Sequence, residues 1–253
     1  MVSAESQGHI FKLHTDSPRC GGGRRGSVVG FSRASRKRLL DRLARLRDEV
    51  DPLFLTLTFP DPVDCRQARR CLDSWAKRMR RRFPMFAAVW RIELQKRGVP
   101  HFHLLIWGCP FLPVSDVREL WRDVIGYEGP HTVQIGITQP RGWRAVAAYV
   151  SKYMAKPQDG AEMAESVLSA GFLDPVTYLT AIEGRSWGVI GRDCLPWAEL
   201  RSMSIPFGRW FFRFRRIARR AWRRIGNQGG FTLRRDDSLQ WWDALAWCLA
   251  DGG

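Results

Sequence analysis

The sequence predicts an α+β protein, in which helices pack on an antiparallel sheet. Short strand-like runs are mixed with longer amphipathic runs along the 253 residues. The runs 86–95 and 101–107 are separated by the turn-like sequence KRGVP, a pattern typical of a hairpin. Because 45% of the residues are hydrophobic, the chain can bury a sizeable core, and its length fits one large domain or one domain with an appendage.

The chain is strongly basic, with a net charge of +16 that comes mostly from arginine. Arginine binds phosphates through paired hydrogen bonds, and these arginines lie among aromatic residues, which stack on bases. Nucleic acid is therefore the predicted partner, and an anionic membrane surface is the alternative.

Several absences in the sequence bear on where the protein works. No stretch approaches the roughly 20 apolar residues of a membrane span, and the N-terminus lacks the apolar segment of a signal peptide. The six cysteines are scattered and form no CxxC pair. We therefore expect a cytoplasmic protein with reduced thiols and no membrane partner.

The N-terminal part is predicted to hold a basic arm, a helix and a strand. Residues 17–30 are rich in glycine, serine and arginine, and we assign 1–35 to a flexible basic arm. Leucines repeat at helical spacing over 32–50, and Pro52 is expected to end that helix. LFLTLTFP, 53–60, then predicts a buried strand.

The middle of the chain alternates between amphipathic helices and strands. Helices are predicted over 64–84, 116–126 and 142–157, and strands over 131–140 and 185–192. The first of these helices has an apolar stripe that should face the sheet, formed by Ala68, Cys71, Leu72, Trp75 and Met79.

The C-terminal segment 201–253 is predicted to be a basic, aromatic, helical extension. FGRWFFRFRRIARRAWRRIG has eight arginines between Arg209 and Arg224, and SLQWWDALAWCLA predicts a terminal helix. The arginines are expected to bind phosphates, and the aromatic side chains unpaired bases. The candidate DNA-binding residues are Arg209, Arg213, Arg215, Arg216, Arg219, Arg220 and Trp210.

Two other interpretations of this basic segment stay open. In the first, it is an amphipathic helix that docks on the domain with Trp210, Phe214 and Ile217 inward. In the second, it lies on a membrane surface. The first is compatible with DNA binding, because the arginines would then face outward.

Two histidines flank Phe102 at the start of the strand after the hairpin turn. Alternate side chains of a strand share a face, so His101 and His103 point the same way. Neutral imidazole binds divalent cations such as Mn, Zn, Fe or Ni. Glu93 on the preceding strand can lie opposite the pair and complete a set with open coordination positions. The alternative is a pair of hydrogen-bonded core histidines.

The predicted helix 142–157 carries two tyrosines one turn apart. Tyr149 and Tyr153 share a face, with Lys152 and Lys156 in a stripe beside them. One interpretation is that the tyrosines pack on the sheet and the lysines are solvated. The other is nucleophilic: a phenol with a free pKa of about 10 can attack a phosphodiester when nearby cations stabilise its phenolate.

These motifs resemble, in order, those of the HUH endonucleases, in which two histidines flank a hydrophobic residue. The resemblance is closer to the rolling-circle replication initiators of small single-stranded DNA phages and plasmids. FLTLTFP resembles their first motif, VPHFHLLIW the histidine motif and YVSKYMAK the tyrosine helix, with the paired tyrosines of the two-tyrosine branch. GRSWGVIGR resembles a segment that follows the tyrosine helix, so the match spans 53–192.

The resemblance implies a five-stranded antiparallel sheet of ferredoxin-like topology, in an endonuclease domain over 36–200. It also implies Mg²⁺ or Mn²⁺ as cofactor and a covalent 5′-phosphotyrosine intermediate. The implied metal ligands are His101, His103 and Glu93. The implied nucleophiles are Tyr149 and Tyr153, and Lys152 and Lys156 are expected to add positive charge.

The implied function is nicking and rejoining of single-stranded origin DNA, with a free 3′-hydroxyl left for the host polymerase. No G-x-x-x-x-G-K-[ST] loop is present, so a host or phage helicase is the expected partner for unwinding. Two alternatives stay open. One is a two-tyrosine transposase with the same chemistry, and the other is a noncatalytic nucleic-acid-binding module.

Overall fold

A computed structural model describes residues 1–15, 30–47, 49–95, 98–129, 135–139, 142–156, 165, 184–225 and 238–250. The chain divides into two compact units. The terminal unit comprises Met1–Gly23, Leu40–Arg47 and Trp197–Gly253. The central unit comprises Arg24–Leu39 and Asp48–Pro196.

Strands and helices are numbered in chain order. The strands are β1 (Val2–Gln7), β2 (Ile10–Thr15), β3 (Leu53–Thr58), β4 (Ala87–Leu94), β5 (Pro100–Trp107), β6 (Ile135–Thr138), β7 (Trp187–Ile190) and β8 (Leu200–Ile205). The helices are α1 (Arg33–Leu43), α2 (Cys65–Arg82), α3 (Val114–Ile125), α4 (Gly142–Tyr149), α5 (Arg209–Ile225) and α6 (Ser238–Ala250). A π-helical turn, Val150–Met154, continues α4, and a 3₁₀ turn, Arg192–Cys194, follows β7.

The central unit is built on a five-stranded antiparallel sheet in the order β6-β3-β5-β4-β7. The chain path β3-α2-β4-β5-α3-β6, combined with the spatial order β6-β3-β5-β4, is the ferredoxin-like arrangement. The predicted fold class is therefore confirmed: an α+β structure whose five-stranded antiparallel sheet is flanked by helices.

One face of this sheet packs against α2 and α3 to form the core. Four of the five residues of the predicted α2 stripe are buried and Cys71 is half-buried, which confirms the stripe. From the sheet, Leu57, Phe102 and Leu104 enter the same core. Asp64 begins α2 by accepting a hydrogen bond from the Gln67 backbone N–H at 2.8 Å. The opposite face of β3, β4 and β5 is left for other groups.

Two predicted helices end differently in the structure. Helix α1 was expected to continue to Pro52, but it ends at Leu43, since the carbonyls of Ala44 and Arg45 accept hydrogen bonds from His9 and Ala198 instead. The predicted helix 142–157 is α-helical only to Tyr149. It then widens into the π turn, in which the N–H of Ala155 donates to the carbonyl of Val150 at 2.7 Å.

The terminal unit has its own sheet, in the order β2-β1-β8, with antiparallel pairing. Phe11 of β2, Ile205 of β8, Phe214 of α5 and Leu245 of α6 are buried together in its core. Strand β8 was not predicted, because its partner β1 lies at the other end of the chain.

The N-terminal residues differ from the flexible arm that the sequence predicted. Val2–Gln7 and Ile10–Thr15 form a hairpin, with Val2 and Ala4 buried on one face. Residues 16–29 of the predicted arm lie outside the described residues. Among the residues that the structure describes, no helix combines the length and the apolar character needed to cross a bilayer.

Candidate functional site

The polar face of β4 and β5 collects the three predicted metal ligands. In the hairpin register, Glu93 lies directly opposite His101. One donor atom from each of Glu93, His101 and His103 lies within 4.8 Å of the others. Glu93 Oε2 is 3.3 Å from His103 Nε2 and 3.8 Å from His101 Nε2. Phe102 points to the opposite face and is fully buried in the core, as the alternation predicts.

The other ring nitrogen of each histidine has a partner of its own. Thr56 Oγ1 lies 3.3 Å from His103 Nδ1, and the Gln95 side-chain amide lies 3.1 Å from His101 Nδ1. An amide can turn its oxygen to this position, where it would accept from Nδ1–H. Both Nε2 atoms are then free to act as ligands. His101 Nε2 is in fact buried without a hydrogen-bond partner among the described residues.

The electrostatics of the cluster suit a cation. Burial acts to raise the pKa of Glu93, but the imidazoles of His101 and His103 and the Arg91 guanidinium outweigh it and hold that pKa well below its ordinary value. Burial lowers the pKa of His103 more strongly than the neighbouring Glu93 raises it. At neutral pH the set is therefore a carboxylate beside neutral imidazole, the protonation state that binds a divalent metal.

The two tyrosines lie over the same face of the sheet. The ring centroid of Tyr153 is 5.1 Å from that of His103 and 5.7 Å from that of Tyr149. Phe54 of β3 packs between them, with its ring centroid 4.9 Å from Tyr149 and 5.8 Å from His103. Both tyrosines are half-buried. The structure thus brings the predicted nucleophiles next to the predicted ligands.

The two lysines of the tyrosine helix lie in different environments. Lys152 Nζ lies 4.9 Å from the ring centroid of Tyr153, and its hydrogen bond to that tyrosine raises the pKa of Lys152. Lys156 Nζ instead lies 3.3 Å from Glu93 Oε1. The sequence predicted one stripe of positive charge, whereas the structure places one lysine beside a phenol and the other beside a ligand carboxylate.

Arg91 is a site residue that the sequence analysis missed. It lies on β4 opposite His103 and its side chain is fully buried. Its Nη1 donates to the carbonyl of Tyr153 at 2.5 Å and lies 3.8 Å from Glu93 Oε2. The available signal was an arginine two residues before Glu93 in an otherwise apolar strand, which alternation places on the ligand face.

In the terminal unit, α5 is an amphipathic helix with its arginines outward. The side chains of Arg209, Arg215, Arg216 and Arg220 are exposed, whereas that of Arg213 is half-buried. Arg213 lies over the ring of Trp247, 4.8 Å from its centroid. The side chain of Arg219 lies outside the described residues.

Trp210 does not fit the base-stacking role that the sequence suggested. Its side chain is only 6% exposed, it packs in the core of the terminal unit, and its indole N–H donates to the carbonyl of Pro206 at 2.8 Å. The inward packing of Trp210 and Phe214, which the sequence left open, is what the structure has. The exposed aromatic side chain on α5 is Phe212, at 60%.

Known proteins match the part of the chain that forms this site. A family described as Replication-associated protein, of the ORF2 type, matches residues 52–158, from β3 to the end of the tyrosine helix. A replication-associated protein of Pseudomonas phage Pf3 is 29% identical, over 79% of this chain and 70% of the relative. A putative replication protein of Xylella fastidiosa strain Temecula1 is 30% identical, over 79% of this chain and 75% of the relative.

The chain belongs to this family of replication-associated proteins. A second putative replication protein of Xylella fastidiosa, from strain 9a5c, is 31% identical over 65% of this chain and 57% of the relative. No solved structure matches the chain. The family match contains both histidines, Glu93 and both tyrosines, so the site described here lies inside the region that the family shares.

Proposed function

We propose that this replication-associated protein is a metal-dependent, HUH-type initiator that nicks and rejoins single-stranded origin DNA through a tyrosine. The observation that carries the proposal is the convergence of two phenols and a carboxylate–imidazole cluster on one sheet face, with the ring centroids of Tyr153 and His103 5.1 Å apart. The replication names of the relatives favour an initiator over a transposase with the same chemistry.

Glu93, His101 and His103 would hold a divalent cation, Mg²⁺ or Mn²⁺. The fit rests on the chemistry of the donors: one carboxylate with a lowered pKa, and an imidazole Nε2 that is buried without a hydrogen-bond partner among the described residues. When bound, the cation would polarise phosphorus and neutralise charge on the non-bridging phosphate oxygens. Thr56 and Gln95 would keep both rings oriented from behind.

The tyrosine performs the transfer. Its phenolic oxygen forms a bond to phosphorus, its proton passes to water, and the bond from phosphorus to the 3′ oxygen breaks. The departing 3′ oxygen takes up a proton and becomes a free hydroxyl. Lys152, which lies beside the Tyr153 ring, stabilises the developing phenolate. The 5′-phosphotyrosine conserves the bond energy, so the reverse attack by a 3′-hydroxyl rejoins the strand.

Two stacked tyrosines fit a reaction that needs two transfers. Tyr149 and Tyr153 lie side by side over the same cluster, with ring centroids 5.7 Å apart. One can hold the 5′ end while the other cuts the regenerated origin, which releases a closed circle. The 3′-hydroxyl left by the first cut would prime a host polymerase, and a separate host or phage helicase would unwind the duplex.

The outward face of α5 is proposed to hold the single strand. Arg209 and Arg216 are three residues before and four residues after Phe212, so they flank its exposed ring on the helix surface. Guanidiniums there would bind phosphates while the phenyl ring stacks on an unpaired base. The exposed arginines Arg215 and Arg220, together with Arg213, extend this surface.

Covalent capture tests the proposed chemistry. The protein is incubated with labelled single-stranded oligonucleotides that tile the DNA molecule encoding it, with Mn²⁺ or with EDTA, and resolved on a denaturing gel. We expect a Mn²⁺-dependent covalent band that the double variant Tyr149→Phe, Tyr153→Phe lacks. A band that persists in the double variant, or binding unaffected by EDTA with no cleavage, overturns the proposal.

A matched pair of variants tests the α5 surface. Phe212→Ala removes an exposed ring and is expected to weaken binding of single-stranded DNA by about 1–3 kcal/mol without loss of stability. Phe214→Ala, two residues away, removes a buried ring and is expected to lower stability instead. Equal DNA affinity of the Phe212 variant and the wild type, measured by fluorescence anisotropy, would rule this surface out as a DNA contact.

A further inference from the structure

A buried cation lies next to the proposed metal cluster. Arg91 has no exposed surface, and a guanidinium keeps its charge at every physiological pH. Taking that charge out of water is costly unless good partners replace the water. A fixed positive charge also opposes the binding of a divalent cation nearby. Its partners therefore indicate what the arginine does in the site.

The first partner is the backbone of a proposed nucleophile. Nη1 of Arg91 donates to the carbonyl oxygen of Tyr153 at 2.5 Å. This carbonyl lies in the last turn of the tyrosine helix, where carbonyl groups lack the usual donor four residues later. The residue at that position is Pro157, which has no N–H. Arg91 supplies the donor that the chain cannot supply.

The second partner is a proposed metal ligand. The same Nη1 lies 3.8 Å from Glu93 Oε2, and that oxygen lies 3.3 Å from His103 Nε2. One side chain thus connects the carboxylate of the cluster with the backbone of the turn that holds Tyr153. Tyr149, one turn earlier, is held differently, by its ring contacts with Phe54 and Tyr153.

The guanidinium is itself held on the other side. Arg91 Cζ lies 4.6 Å from the ring centroid of Phe31, which is nearly fully buried. The backbone next to that ring is fixed because Ser186 Oγ donates to the carbonyl of Gly30 at 2.6 Å. The arginine is therefore clamped between an aromatic ring and the site, a geometry suited to positioning rather than to contact with DNA.

We propose that Arg91 is a positioning residue that holds Tyr153, but not Tyr149, in register with the metal cluster. This rests on the proposed function, because it assigns Arg91 a role in that same reaction. Arg91 forms no bond to the phosphate and transfers no proton. It fixes the carbonyl of Tyr153, and through it the Cα from which the phenol projects. The two tyrosines are then not equivalent, since it is the backbone of Tyr153 that is tied to the cluster through this side chain.

The test uses single-tyrosine proteins. Tyr149→Phe leaves Tyr153 as the nucleophile, and Tyr153→Phe leaves Tyr149. Each is prepared with Arg91 and with Arg91→Met, and the rate of covalent adduct formation is measured with Mn²⁺ and the tiled oligonucleotides. We expect Arg91→Met to slow the Tyr153 reaction at least about tenfold more than the Tyr149 reaction. Mn²⁺ affinity, measured by calorimetry without DNA, should weaken no more than about threefold, since a repelling charge is lost along with a carboxylate partner.

Each outcome separates the inference from the proposed function. If neither single-tyrosine protein forms an adduct with Arg91 in place, the proposed function fails. If both form adducts and Arg91→Met slows them equally, or slows neither, the function stands and the positioning role is wrong. Should Arg91→Met not fold, Arg91→Lys decides instead. Lysine keeps the charge but lacks the planar fork, so a selective slowing of Tyr153 is again expected, and equal rates again overturn the inference.

Discussion

The two faces of the hairpin β4–β5 are built from alternate residues of the same strands, yet they do different work. On one face, Ile92, Phe102 and Leu104 are buried in the core beneath α2 and α3. On the other, Arg91, Glu93 and His103 are also buried but carry charges or ring nitrogens. The first face gains free energy from apolar burial, whereas the second gives up some of it to hold polar groups in place.

This contrast teaches that burial alone does not distinguish a core from a site. Neighbours in sequence, such as Phe102 and His103, should respond to substitution in different ways. Changes on the core face should act on the free energy of unfolding, and changes on the site face on metal binding and chemistry. The predictions below are ways to break that separation.

The largest effect on stability is expected from Phe102→Ala. The ring is fully buried against Trp90 and Trp121, with ring centroids 5.8 Å and 6.5 Å away, so its loss leaves a cavity. We expect the free energy of unfolding in urea to fall by about 3–5 kcal/mol. Phe102→Leu, which keeps most of the volume, should cost less. Loss of Mn²⁺ binding by the fraction that is still folded would break the separation of the two faces.

His103→Ala, one residue away, should have its largest effect on metal affinity. Removal of one proposed ligand is expected to weaken Mn²⁺ binding by at least about 100-fold, more than the loss of a supporting group does. Its cost in unfolding free energy should be smaller than that of Phe102→Ala. Calorimetry and urea denaturation of the two variants, side by side, check both halves. Unchanged Mn²⁺ affinity would mean that the cluster is an ordinary set of core histidines.

Thr56→Val sharpens the comparison by a smaller step. The hydroxyl lies 3.3 Å from His103 Nδ1, and valine keeps its shape without the hydrogen bond. We expect Mn²⁺ affinity to fall about tenfold, because the imidazole loses the group that orients it. Leu57→Val, on the opposite face of the same strand, is the control and should leave Mn²⁺ affinity unchanged. Equal affinities for the Thr56 variant and the control would contradict the orienting role.

The smallest effect is a change in pH dependence. The pKa of Glu93 is lowered in the folded protein, so the unfolded chain takes up the proton more readily as the pH falls. Its contribution to stability is therefore present above the ordinary carboxyl pKa of about 4.3 and is lost below it. In EDTA, Glu93→Gln should show a shallower loss of stability between about pH 6 and about pH 3. Parallel pH curves for the variant and the wild type would show that the carboxylate contributes nothing.

Local sequence periodicity was enough to predict the ligand cluster. His101, His103 and Glu93 belong to two consecutive strands joined by a short turn, so strand alternation and the hairpin register place them together. The helical spacing of Tyr149 and Tyr153 likewise predicted that they share a face, and the structure stacks them. In both cases the residues that meet are close in sequence.

The terminal unit was harder to predict, because its sheet joins the two ends of the chain. Strand β1 pairs with β8, which lies almost 200 residues later, and neither strand has a strong pattern of its own. The N-terminal residues were therefore interpreted as a flexible arm. For α5 the sequence left two orientations open, and the packing of Trp210 beside Phe214 decided between them.

The sequence by itself determined the α+β class, the face shared by Glu93, His101 and His103, and the pairing of the two tyrosines, because periodicity is a local property. The tertiary structure decided that the tyrosines lie over the histidines, with Phe54 between them. It also decided that Arg91 joins Glu93 to the Tyr153 turn, and that this turn is π-helical. The contacts that bring the tyrosine helix to the sheet join residues about 50 to 100 positions apart, and their geometry depends on how the whole sheet packs, which no local pattern encodes.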